Sequence, residues 1–75
     1  MTNRDIIYFE RQAEEAYTKM YDAPSPSDAT ARYSDAKEAL FTAIGIARDL
    51  GEEDSLLRLE ARLAEIKAVF RSQFS

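Results

Sequence analysis

A chain of 75 residues with 10 basic and 14 acidic side chains, formal charge -4, has room for one small domain, 1–75. It holds no cysteine and no histidine, which excludes disulfides, thiolate and imidazole catalysis, and zinc sites built on those ligands. Charges of both signs interleave without a basic block, and no apolar run is long enough to span a bilayer, so neither nucleic acid nor membrane is an expected partner and the expected location is cytoplasmic.

The first predicted helix covers about 3–21. Ile6, Phe9, Ala13, Ala16 and Met20 recur every three or four residues and line one face. Thr2 or Asn3 is placed to cap it, and Asp5 suits the positive end of the helix dipole. Ile7 and Tyr21 lie on its flank and Tyr8 on its outer side. Pro24 ends it, because proline lacks the amide that a helix interior requires. Glu10 and Glu14, four apart, come nearest to a metal-binding pattern. Dinuclear sites in helical bundles combine such glutamates with histidine, so neither a metal nor a catalytic residue is expected.

The second helix covers about 26–50. Ser25 as cap with Pro26 at the first helical position is the favoured start, Ser27 the alternative cap, and Asp28 complements the dipole. Tyr33, Ala36, Leu40, Ala43, Ala47 and Leu50 form its inward stripe. Ala39 and Ile46 widen that stripe on one side, and Phe41 projects on the other. Gly45 is either a tolerated weak point, a place of close helix contact beside Phe41, or a local bend. Gly51 is a natural stop, since glycine takes the left-handed conformation at little cost. Tyr17, Tyr21 and Tyr33 are expected to cover one end of the core.

The third helix covers about 53–72, fraying by Ser75. Glu52, Glu53 and Asp54 stand where it begins, and Lys67 and Arg71 toward its C-terminal end, both with the dipole. Leu56, Leu59, Leu63, Ile66 and Phe70 face inward. A second row, Leu57, Ala61, Ala64 and Ala68, lies well away from them. Short connections make successive helices antiparallel neighbours, so the predicted fold class is all-α, an antiparallel three-helix bundle. Asp28–Arg32, Glu15–Lys19 and Asp54–Arg58 have the spacing of helix ion pairs, and Arg58 and Arg62 are expected to pair with Asp54 and Glu65.

Asp49-Leu50-Gly51-Glu52-Glu53-Asp54-Ser55-Leu56 resembles the Asp-Leu-Gly-x-Asp-Ser-Leu segment of acyl carrier proteins, with one residue more between Gly51 and Asp54. The resemblance implies a phosphopantetheine arm on Ser55. Tyr33, Ala36, Ala39, Leu40, Ala43, Ala47, Leu50 and Gly51 resemble the second helix of a tetratricopeptide-type pair, which implies protein binding. Three helices also admit a DNA-binding regulator of helix-turn-helix type, for which Arg58, Arg62, Lys67 and Arg71 are the candidate contacts.

The surplus apolar flank weighs most. A small domain has little stabilising margin, and the surplus apolar stripe is either an association surface, which is the favoured reading, or part of a wide core that the bundle covers by itself. The expected function is a non-enzymatic helical protein-interaction module, self-associating. Its candidate interface is Phe41, Ile46, Leu57, Ala61, Ala64 and Ala68. The expected partner is a second copy in a homodimer or another helical protein, with no cofactor and no small-molecule substrate. The carrier protein and the DNA-binding regulator are the alternatives.

Overall fold

A computed structural model describes residues 3–74; the alternative cap Thr2 and the fraying end at Ser75 lie outside the described residues. Three helices follow one another, α1 (Arg4–Tyr21), α2 (Pro26–Leu50) and α3 (Glu53–Phe74). Asn3 caps α1, its Oδ1 accepting from the Asp5 amide at 2.8 Å. Ser25 caps α2: its Oγ accepts from the Asp28 amide at 3.2 Å and its hydroxyl donates to Asp28 Oδ2 at 3.1 Å. Gly51 closes α2 at φ 71°. Its amide donates to the Arg48 carbonyl and the Glu52 amide to the Ala47 carbonyl, a Schellman pattern that satisfies the last carbonyls of the helix.

The chain runs up, down and up, and α2 packs against both neighbours. The core is Ile6 and Ala13 from α1, Leu40, Ala43, Ile44 and Ala47 from α2, and Leu59, Leu63 and Ile66 from α3. Three α2 positions differ from the predicted stripe, one of them Ala29, which is buried at 2% exposure. Leu50 is 53% exposed and Ile44 only 6%. Ten residues beyond Leu40 the helix has turned Leu50 roughly 80° off the inward line, whereas Ile44 stays within about 40° of it.

The other end of the molecule is closed by aromatic rings. Tyr33 of α2 stacks on Phe70 of α3, with centroids 3.9 Å apart and planes at 1°, and Lys37 lies 4.4 Å above the Tyr33 ring centroid. Phe74 meets Phe70 at 5.7 Å and Tyr21 of α1 at 5.8 Å. These contacts carry α3 beyond its predicted end near Ser72, because an aromatic anchor in the last turn opposes fraying. Tyr17 and Tyr21 pack edge to face with their hydroxyls 3.3 Å apart. That hydrogen bond, with partial burial second, raises the Tyr17 pKa above its ordinary value.

The two glycines have opposite roles. A Cβ built on Gly45 meets nothing within 4 Å, and its backbone is helical, so no close contact requires glycine there. Gly45→Ala therefore gains helix propensity and is expected to stabilise the domain by roughly 0.5–1 kcal/mol. At Gly51 the space is equally open, but φ is positive. Gly51→Ala forces alanine into the left-handed region and is expected to cost about 1 kcal/mol. Thermal melts of the two variants should move in opposite directions.

Candidate interaction surface

Because α1 and α3 run the same way, residues spaced four apart on each meet in register. Arg58 donates through Nε and Nη2 to the Glu10 carboxylate at 3.0 and 2.9 Å. One turn on, Arg62 does the same to Glu14 at 2.7 and 2.6 Å, and its Nη1 reaches Glu65 at 2.6 Å. The Arg62 guanidinium also lies 4.8 Å over the Tyr17 ring. Hydrogen bonding to Glu14 first, then to Glu65, holds the Arg62 proton more tightly than usual against the opposing effect of burial.

Among the described residues three predicted ion pairs are corrected, and one of them, Glu15–Lys19, is not formed. Arg58 pairs with Glu10, not Asp54, and Arg32 pairs with Asp35 at 3.1 Å, not with Asp28. For Arg58 a bidentate partner on a neighbouring helix outcompetes an exposed pair on the same helix, whereas Arg32 takes Asp35 within α2 while Asp28 accepts from the Ser25 hydroxyl at the cap. The predicted Arg62–Glu65 pair is present. The ladder also accounts for Glu10 and Glu14 as arginine partners, and no cluster of potential metal ligands occurs among the described residues. It engages Arg58 and Arg62, two of the four candidate nucleic-acid contacts, within the subunit.

The Arg62–Glu14 contact makes its own prediction. The two side chains remain 26% and 44% exposed, so solvent screening limits the pair to about 1 kcal/mol. A double-mutant cycle with Arg62→Met and Glu14→Gln, read by urea unfolding, is expected to return a coupling of that size. The same cycle with Glu65→Gln should return less, since the Glu65 side chain is 61% exposed.

Opposite the core, α3 presents its second row. Leu57, Ala61, Ala64 and Ala68 lie roughly 140–200° around the helix from Leu59. All four are exposed, and Leu57 at 68% is the most exposed large apolar residue described. From α2, Phe41 joins this surface at 51% exposure. A groove lined by Phe41, Ile44, Arg48, Glu60, Leu63, Ala64 and Lys67 connects it to the row, and the Lys67 ammonium lies 5.8 Å from the Phe41 ring centroid. Ile46 lies apart. It is half-buried against the core, roughly 140° around α2 from Phe41. The surface brought together is thus Phe41, Leu57, Ala61, Ala64 and Ala68. Glu60 and Lys67 at its edge are additions that helix spacing alone did not single out, because their meeting with Phe41 depends on how α2 and α3 dock.

Ser55 stands in the first turn of α3, but it is 4% exposed and its hydroxyl is 3.5 Å from Glu52 Oε1. A serine that accepts a phosphopantetheine arm must reach the transferase, and this one faces inward. No helix is long and apolar enough to cross a membrane among the described residues. Comparison with known proteins identifies no relative: no family model, no curated protein and no solved structure matches the chain.

Proposed function

We propose that the chain is a non-enzymatic helical interaction module that associates with a second copy of itself through the outer face of α3. The observation that carries this reading is the exposed apolar row of α3, which lies on the side away from the core and adjoins Phe41 of α2. One apolar stripe suffices to seat a helix on its own bundle, and a helix apolar on two opposite sides calls for a second cover. The row is built mainly of alanine, so another helix could approach closely, while Leu57 and Phe41 offer larger side chains to bury. Rim charges of both signs suit pairing with an identical surface better than with a strongly charged partner.

Sedimentation equilibrium over about 1 µM to 1 mM tests this directly. The expected result is a mass rising from one chain to two, accompanied by a melting temperature that increases with concentration, because association stabilises the folded state by mass action. A constant mass of one chain across that range overturns the proposal.

A further inference from the structure

We infer that the dimer is antiparallel, with its two-fold axis passing between Ala61 and Ala64, so that Glu60 of each copy faces Lys67 of the other. This inference rests on the self-association proposed above and adds its orientation and register.

The argument starts from the edge of the apolar row nearest α2. Glu53, Glu60 and Lys67 follow at seven-residue intervals and drift only about 20° per step around the helix. They make this edge acidic in the N-terminal half of α3, at Glu53 and Glu60, and basic in the C-terminal half, at Lys67. A two-fold axis perpendicular to the helices sets this edge of one copy against the same edge of the other, reversed. Acidic half then meets basic half along its length, and Glu60 and the partner's Lys67 lie about 3 Å apart in height along the helix axis. The two grooves holding Phe41 also fall on this shared edge, where both rings leave water together.

A parallel pairing does neither. It sets the edge nearest α2 against the opposite edge, which separates the two Phe41 rings. It also offers Glu60 and Lys67 the partner's Arg58 and Glu65, which Glu10 and Arg62 already hold within the subunit.

The test is a charge exchange, with folding of every variant checked by circular dichroism and dimerisation measured by analytical ultracentrifugation. Glu60→Lys alone sets lysine against lysine at two symmetric places, and Lys67→Glu alone sets glutamate against glutamate. Each is expected to weaken dimerisation about tenfold. An equimolar mixture of the two single variants is expected to form a heterodimer within about twofold of the original Kd, because both contacts are then again of opposite charge. A parallel dimer would also be weakened by each variant, but mixing would leave Glu60→Lys facing Arg58 and Lys67→Glu facing Glu65, with no recovery. Failure of the mixture to recover, or single variants as tight as the original chain, overturns the antiparallel register while self-association stands. An unmodified chain that stays monomeric throughout overturns both.

Discussion

Leu40→Ala is expected to destabilise the domain by about 3 kcal/mol, since a buried leucine cut to alanine loses both its transfer energy and the contacts across the cavity left behind. Leu40 is 0% exposed and sits midway along the helix that packs on both others. Its buried neighbours on α2, Ala36, Ala43 and Ala47, are too small to swing into the vacancy. The large side chains that α2 buries in the core are Leu40 and Ile44, with Tyr33 and Ile46 only partly buried against it, so the loss falls on a helix with little else to offer. In a domain of this size each kcal/mol moves the melting temperature by about 4–8 °C, and the expected shift is therefore roughly 12–24 °C. Leu57→Ala removes the same atoms from a site 68% exposed and is expected to change monomer stability by less than about 0.5 kcal/mol. Urea melts at low protein concentration separate the two. Equal effects at both positions would mean that the outer row is as buried as the core.

The contrast between these leucines also marks what could be read from the chain before its fold. The caps at Asn3 and Ser25 and the stop at Gly51 were legible because each is decided by chemistry within four residues. The inward faces of α1 and α3 were legible because their periodic residues keep to one line. On α2 the same reasoning ran the stripe out to Leu50 and passed over Ile44, because a straight series of three- and four-residue steps drifts off the buried line over 25 residues. The Glu10–Arg58 and Glu14–Arg62 ladder was out of reach. Its two arginines had nearer, weaker partners within their own helix, Asp54 and Glu65, and a pairing 48 residues away depends on α1 and α3 being parallel and in register. The outer row was visible as residues, but its junction with Phe41 and Lys67 follows from the docking of α2 on α3 and from nothing local.

Ala64→Glu is expected to raise the dimer Kd at least about 100-fold while leaving the monomer folded. Glutamate has nearly the helix propensity of alanine, and position 64 is exposed on the isolated subunit, so the monomer bears little cost beyond a like charge one turn from Glu60 and a favourable one near Lys67. In the proposed dimer the same carboxylate would lie at the centre of the apolar row, beside the groove that holds Phe41. There it must either give up its water or hold the helices apart. Burying an unpaired charge costs several kcal/mol, each 1.4 kcal/mol being tenfold in Kd. Ala64→Lys distinguishes the causes. If the loss came from adding negative charge to a chain of net charge -4, lysine at that position would tighten the dimer. If it comes from desolvating a charge within a close helix contact, lysine weakens it nearly as much as glutamate does. Light scattering of both variants should give a single chain mass at concentrations where the unmodified chain is dimeric. Retention of the dimer in both would move the contact off α3, toward the exposed Ile7, Tyr8 and Leu50 of the other two helices, where a charge at position 64 has no reach.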